Sequence, residues 1–414
     1  MDSSLLRAYA NVLLTAVSLQ RGQCLLIRAQ PVHLPFAGIL AEEAYKRGCR
    51  YVRFDNNEAD NPALYKARIE HSEAEYLDYA PRSRYEPYGI MIDEDWAVLS
   101  IHAPEDPDFL SGLDPERNAR CVRATAEAMK PYRRRIVLDN EVAWLVAFLP
   151  TEKMAARILG VPAGPEAVEE LWKVLIPILR LDRPDPSKAW EEHCRNLETR
   201  AERLNSLSLD SVRFRGPGTD LMVGLLPQSV WRGGPERTAK GRLFFPNIPT
   251  EEVFTSPDFR RAEGRAAFTR PVLVPSIGKV VEDGWVEFRA GRAVDWNARS
   301  GKDVLDTLMS MDPGAKSLGE VALVDGSSPV FTSGRVFHNI LFDENAASHV
   351  ALGSGYPACV QGAEGLSDGE LAELGVNVSM VHTDFMIGSP DMDVTGTTRD
   401  GREVRVMTRG RFEI

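Results

Sequence analysis

Cysteine is scarce in this 414-residue chain, and its five copies are odd in number and far apart. None forms a CxxC pair, so neither a disulfide framework nor a thiolate zinc site is indicated. No apolar run approaches the length needed to cross a bilayer, and the N-terminus lacks a signal-peptide pattern. We therefore expect a cytoplasmic protein that does not bind a membrane.

Basic charge is also in short supply, because 49 lysines and arginines face 60 acids and leave a net charge of −11. This balance argues against a nucleic-acid partner. The sequence has no GxGxxG loop for a dinucleotide and no GxSxG turn for a serine nucleophile. What it does have is the composition of a globular protein, 43% apolar and 26% charged, with a length that predicts two domains.

The first half of the sequence alternates strand-like and helix-like segments, a pattern typical of a parallel sheet with helical crossovers. Residues 151–206 are strongly helical and are divided by prolines. We therefore predict an N-terminal open α/β sheet domain over residues 1–207, with 151–206 as its helical extension. The predicted strands are Cys24–Ala29, Tyr51–Asp55, Ala97–Ala103 and Arg135–Asp139.

The second half, residues 208–414, is rich in turns and in strand-type alternation, which predicts a β-rich α+β domain. Gly284-Trp285 and Ala290-Gly291-Arg292 are typical of hairpin turns. One helix is predicted at 303–311. The predicted strands are Val286–Ala290, Arg292–Trp296, Glu320–Val324, Val350–Leu352 and Met380–Met386.

A strand-like stretch from Val381 to Ser389 contains His382 and Asp384 among apolar residues. Side chains two apart on a strand project to the same face, so these two polar groups lie side by side. Buried polar atoms need partners, and a divalent metal is one such partner. An ordinary hydrogen bond between histidine and aspartate is the alternative for this pair taken alone.

Three further stretches place acids or histidine in apolar surroundings. They are 245–254 with Glu251 and Glu252, 318–324 with Glu320, and 341–356 with Glu344, His349 and Tyr356. Together the four stretches offer two histidines and several carboxylates but no cysteine. Such a mixed nitrogen and oxygen set suits zinc, cobalt or manganese in a hydrolytic site, and the acid excess is enough for two metals that share a carboxylate.

The four stretches resemble the M29 metallo-aminopeptidases, the thermophilic aminopeptidase group, in order and in approximate spacing. The resemblance extends over the whole length, more weakly in the first half, and implies that 208–414 is a catalytic domain. It also implies a homodimer that acts on peptides with a free N-terminus. The matching segments are Asn247–Thr255, Leu318–Val324, Leu341–His349 and Val381–Gly388.

Carried over residue by residue, the resemblance implies two divalent ions, zinc, cobalt or manganese, in each chain. The implied ligands are Glu252, Glu320, His349, His382 and Asp384, with Glu320 as the bridging carboxylate and Glu344 as a further candidate. It implies Glu251 as general base, with the reverse assignment of Glu251 and Glu252 as the alternative. Tyr356 would hydrogen-bond the reacting oxygen. Thr383 departs from the family pattern, in which an apolar residue is usual.

Two alternatives to a metallo-aminopeptidase remain at this point. A mononuclear non-haem iron ring-cleaving dioxygenase of related fold could use His349, His382 and Asp384 around one iron. The additional acids argue against it, since one ferrous ion does not need so many. A scaffold without catalytic activity is the other alternative, and the intact set of candidate ligands argues against that.

Overall fold

The computed structural model describes residues 3–56, 61–110, 112–274 and 277–414. It divides into two compact units. Unit 1 comprises residues up to 192 together with 235–248, and unit 2 comprises 193–234 together with 249–414. The domain limits proposed above, 1–207 and 208–414, stay a prediction.

Helices and strands are numbered in chain order. The α-helices are α1 Ser3–Ala16, α2 Leu34–Lys46, α3 Pro62–His71, α4 Arg82–Asp93, α5 Pro115–Arg133, α6 Glu152–Leu159, α7 Pro165–Ile178, α8 Pro186–Ser206, α9 Lys302–Ser310, α10 Pro329–Thr332, α11 Ile340–Asp343 and α12 Asp368–Leu374. The strands are β1 Cys24–Arg28, β2 Tyr51–Asp55, β3 Ala97–Ile101, β4 Trp144–Ala147, β5 Leu209–Gly216, β6 Thr219–Leu225, β7 Glu236–Arg237, β8 Leu243–Phe244, β9 Glu252–Thr255, β10 Pro257–Ala267, β11 Val272–Val274, β12 Lys279–Arg289, β13 Arg292–Ser300, β14 Leu318–Val324, β15 His349–Gly353, β16 His382–Met386, β17 Asp393–Thr398, β18 Glu403–Thr408 and β19 Arg411–Phe412.

Unit 1 is built on a parallel sheet with the strand order β2-β1-β3-β4. The central strands β1 and β3 are mostly apolar and largely buried, as expected when both faces of a parallel sheet are covered by helices. Each parallel pair needs a crossover, and α2, the pair α3 and α4, and α5 supply the three connections. The predicted open α/β sheet is confirmed.

One predicted strand of this sheet is wrong. Arg134–Leu138 is helical and continues directly from α5, and the fourth strand is β4. Ile136 is buried and packs in an apolar cluster with Met91 and Trp96. A short apolar run is compatible with a buried strand or with the buried side of a helix, and only packing distinguishes the two.

Unit 2 contains a large sheet whose strands follow the order β11-β12-β10-β6-β5-β17-β18-β19, with β13 paired to β12. The predicted turn at 290–292 lies between β12 and β13, as expected. The turn predicted at Gly284-Trp285 is wrong, because both residues lie inside β12. A Cβ at Gly284 would lie 2.5 Å from the ring of Phe268, so close packing explains this glycine.

A smaller sheet of unit 2 has the strand order β16-β15-β14-β9, and all its pairs are antiparallel. One of its faces is apolar and belongs to the main core of the unit. The residues on that face include Val253, Val321, Leu323, Val350, Leu352 and Phe385. The opposite face carries the polar residues described below.

The overall class agrees with the expectation of a parallel α/β sheet followed by a β-rich region. Among the described residues, no helix is long and apolar enough to span a membrane.

Candidate metal centre

The register of the smaller sheet brings the polar residues of four separate stretches onto one face. Glu252 on β9 pairs with Val324 on β14, and Ala322 on the same strand pairs with His349 on β15. Directly opposed residues share a face, and so do residues two apart on one strand. Continuing the pairing through Glu320 to β16 places His382 and Asp384 on this face as well.

Small residues occupy the positions between these side chains. Ala351 lies between Glu320 and Asp384 in register, and Gly353 lies opposite His382. Gly353 has a φ of +108°, and a Cβ there would lie 2.1 Å from the carbonyl oxygen of Val381. Glycine is therefore required at this strand end. Because these side chains are small, the surrounding polar side chains can extend over the centre of the face.

The potential ligand atoms form two groups that share Glu320. One comprises Glu252, Glu320 and His349, and the other comprises Glu320, His382 and Asp384. Within each group the atoms all lie within 4.8 Å of one another. All except the half-buried His382 are buried. The residues singled out in the sequence are thus brought together, although they lie on four different strands.

Both imidazoles are oriented by a backbone carbonyl. His349 Nδ1 lies 3.1 Å from the carbonyl oxygen of Ala347, and His382 Nδ1 lies 2.8 Å from that of Ser354. Because a carbonyl oxygen can only accept a hydrogen bond, each Nδ1 carries the hydrogen in this contact. Nε2 of each ring is then directed to the carboxylates, the arrangement that a metal-binding histidine needs.

Two carboxylate oxygen atoms of this face have no hydrogen-bond partner among the residues that the structure describes. In the described part of the chain, Glu252 Oε2 and Asp384 Oδ1 are buried without a hydrogen-bond partner. His349 Nε2 and His382 Nε2 lie 3.2 Å from these oxygens, but not in hydrogen-bonding geometry. Buried carboxylates that converge without proper hydrogen bonds suit a shared cation, so the residues fit a divalent metal.

The pKa values show how much negative charge is concentrated here. Burial raises the pKa of Glu320 to about 7, with His382 opposing the shift and Asp384 adding to it. Burial lowers the pKa of His349, but the Glu252 carboxylate outweighs it and raises that pKa to about 10. Burial also disfavours charged His382, yet Asp384 and Glu320 raise its pKa well above the ordinary value. Buried negative charge is thus concentrated around the two imidazoles, which suits a site for cations.

Glu344 adds a fourth acid close to the two groups, although it belongs to neither. Burial raises the pKa of Glu344 well above its ordinary value, and the charges of Glu252 and Asp384 add to the shift. Together with Glu320, four carboxylates can balance the charge of two divalent ions while both histidines are neutral. The charge of the site therefore also fits metal binding.

Tyr356 lies beside the second group. Its hydroxyl is 3.2 Å from His382 Nε2, and its ring packs edge-on against Phe254 with 5.5 Å between centroids. Burial and the charge of Glu320 raise the pKa of Tyr356 well above its ordinary value. The phenol therefore keeps its proton and can donate a hydrogen bond near the candidate ligands.

Glu251 belongs to neither ligand group. It is buried, and its Oε2 lies 3.5 Å from Nε2 of His193 on α8. Its backbone N–H donates to Oδ1 of Asn345 at 2.6 Å. Sequence reasoning missed both neighbours: Asn345 stands unremarked inside the stretch 341–356, and His193 has no sequence signal because it lies far from Glu251 along the chain.

Comparison with known proteins gives a consistent result along almost the whole chain. The family described as thermophilic metalloprotease (M29) matches residues 2–412. The chain belongs to this family. Aminopeptidase T of Thermus aquaticus is 39% identical over 399 residues, covering 96% of this chain and 95% of the relative. Aminopeptidase 2 of Geobacillus stearothermophilus is 37% identical over 396 residues, covering 96% and 94%.

A solved structure supports the same grouping. Wild-type AmpT from Thermus thermophilus matches this M29 chain with a TM-score of 0.89 and 36% identity, covering 99% of both chains. The expected enzyme class, a metallo-aminopeptidase, is confirmed by the family and by these relatives. The alternative of an iron-dependent dioxygenase finds no support, because these relatives are named as aminopeptidases.

Proposed function

We propose that this M29 protein removes N-terminal residues from peptides at a centre for two divalent ions, zinc, cobalt or manganese. Glu320 carries the proposal, because its carboxylate belongs to both ligand groups. Glu252 and His349 complete one group, and His382 and Asp384 complete the other. Bound there, such ions would supply Lewis acidity, which lowers the pKa of water and polarises a carbonyl oxygen.

Glu251 acts as the general base in this proposal. It directly precedes Glu252 but belongs to neither ligand group, so the proposal gives it proton transfer and not metal binding. Glu251 accepts a proton from the attacking water and delivers it to the leaving amine. Tyr356 donates its hydroxyl hydrogen to the oxygen on which negative charge develops.

The excess of acids can also bind the free amine of a substrate with an unblocked N-terminus. Glu344 lies near the ligands without belonging to either group, and it serves as a further ligand or as a partner of the substrate amine. A positively charged or hydrogen-donating amine is favoured beside buried carboxylates. We expect leucyl and arginyl substrates to be hydrolysed and the same substrates with an acetylated N-terminus to be left intact.

The decisive experiment measures metal content and turnover together. Protein purified without chelator should contain about two zinc, cobalt or manganese ions per chain. Glu320→Gln should lose metal from both groups and abolish turnover while the chain stays folded. Glu282→Gln, the same change at a half-exposed position of β12, is the matched control and should retain both.

Two outcomes would contradict this proposal. The first is a Glu320→Gln variant with near-wild-type turnover of a leucyl substrate. The second is equal hydrolysis of free and acetylated peptides, which would show that the amine is not recognised. Location in the cytoplasm and assembly as a homodimer stay predictions.

A further inference from the structure

Helix α8 places a histidine directly against the segment that carries the proposed general base. His193 Nε2 lies 2.8 Å from the carbonyl oxygen of Thr250 and 3.5 Å from Glu251 Oε2. Its side chain is only 16% exposed. Since the carbonyl of Thr250 can only accept, Nε2 carries a hydrogen and donates it in this contact. The imidazole therefore holds the backbone of Thr250 and touches the carboxylate of Glu251.

A second side chain fixes the same segment through a different atom. Asn345 Oδ1 accepts the backbone N–H of Glu251 at 2.6 Å. Asn345 is almost completely buried, and its Nδ2 donates to the carbonyl oxygen of Leu341 at 2.9 Å, which fixes the amide. The peptide between Thr250 and Glu251 thus has its carbonyl held by His193 and its N–H held by Asn345. Because the peptide is fixed at both atoms, the contact with His193 restricts the orientation of the Glu251 side chain.

Two glycines allow α8 and β9 to approach this closely. A Cβ at Gly234 would lie 2.2 Å from the carbonyl oxygen of Cys194, the residue after His193. A Cβ at Gly233 would lie 2.9 Å from the carbonyl oxygen of Glu252. The backbone of this glycine pair therefore lies between the helix and the strand without space for a side chain. The position of His193 is fixed by close packing of the main chain.

We propose that His193 is a positioning residue for the reaction, which acts by holding Glu251 in the orientation needed for proton transfer. This inference rests on the proposed role of Glu251 as general base. A base must lie within hydrogen-bond reach of the proton that it takes, so a misdirected carboxylate lowers kcat even when substrate and metal still bind. His193 lies outside the four stretches that resemble the family.

The test replaces His193 by methionine, which has no hydrogen-bond donor, and by glutamine, which keeps an N–H near the position of Nε2. His193→Met should lower kcat about 10- to 100-fold with little change in KM or metal content, the usual range for residues that orient a catalytic group. His193→Gln should restore most of the loss. His71→Met is the matched control, because the side chain of His71 is 79% exposed on α3, and its kcat should not change.

A double-mutant cycle distinguishes positioning from a general structural effect. If His193 acts through Glu251, His193→Met should cause almost no further loss of kcat in a Glu251→Gln background, measured at high enzyme concentration. Additive losses would overturn the inference. So would a His193→Met variant with kcat within about twofold of wild type.

The same measurements separate this inference from the proposed function. An inactive Glu251→Gln variant beside a fully active His193→Met variant overturns the role of His193 alone. A Glu251→Gln variant with near-wild-type kcat overturns the role of Glu251 and the inference with it. Circular dichroism and metal analysis are run on each variant. If His193→Met does not fold, His193→Asn, whose amide is too short to reach Thr250, takes its place in the cycle.

Discussion

Replacing Tyr356 by phenylalanine removes one hydrogen-bond donor and little else. The ring should stay in place because it packs against Phe254, and because the backbone N–H of Tyr356 donates to Ser256 Oγ at 2.6 Å. The hydroxyl lies 3.2 Å from His382 Nε2 and keeps its proton, since burial raises the pKa of Tyr356. Tyr356→Phe therefore tests the donor separately from the packing.

The magnitude of the expected loss in kcat follows from the proposed role of that donor. Loss of one preorganised hydrogen bond to a developing oxyanion costs about 2.7–4 kcal/mol, or about 100- to 1,000-fold in kcat. Because Tyr356 is half-buried rather than sealed from water, we expect a loss near the lower end, about 100-fold. KM should change little, because the interaction strengthens only in the transition state. Steady-state hydrolysis of a leucyl chromogenic amide measures both constants.

Tyr9→Phe provides the matched control in unit 1. Tyr9 is fully buried and donates to the carbonyl oxygen of Phe148 at 2.8 Å, so its loss should cost about 1 kcal/mol of stability without changing kcat. A fully metal-loaded Tyr356→Phe enzyme with kcat within about threefold of wild type would refute the reasoning. It would show that the hydroxyl orients His382 at most and does not contact the reacting oxygen.

Two further predictions concern stability. Burial lowers the pKa of His33 from 6.5 to about 4, although the backbone of Leu149 opposes the shift. Between these pH values the unfolded chain therefore binds more protons than the folded chain. Lowering the pH from 7 to 4 should reduce the free energy of unfolding by about 3 kcal/mol through this histidine, and His33→Leu should lose less stability than wild type when both are compared by calorimetry over this range. Equal losses in both proteins would contradict this. Thr383 Oγ1 is buried without a hydrogen-bond partner among the described residues. Thr383→Val should therefore increase the free energy of unfolding by about 1–2 kcal/mol and raise Tm. A lower Tm would contradict the argument.

Local pattern was enough to predict many of the elements. The strand Tyr51–Asp55 has the predicted limits, and the helix predicted at 303–311 lies at Lys302–Ser310. The pattern failed at Arg134–Leu138 and at Gly284, where the outcome depends on packing against residues far along the chain. An apolar run or a glycine has the same local signature in either structure, so the sequence alone could not distinguish them.

The candidate site divides in the same way. The period of two on a strand already placed His382 beside Asp384, and the mixture of histidines and acids already indicated a metal. Only the cross-strand register decided that Glu320 lies between Glu252 on one side and His382 on the other, because pairing between distant strands is not encoded within any one of them.

Side-chain chemistry and local periodicity are properties of short segments, so the sequence by itself determined the kinds of candidate ligand and the face of the strand on which each lies. The contact of His193 with Glu251 joins a helix to the residue before a strand across more than fifty residues of intervening chain. Such a contact exists only when the core packs and two glycines let the backbones approach. Tertiary structure alone therefore decided which residues surround the proposed base.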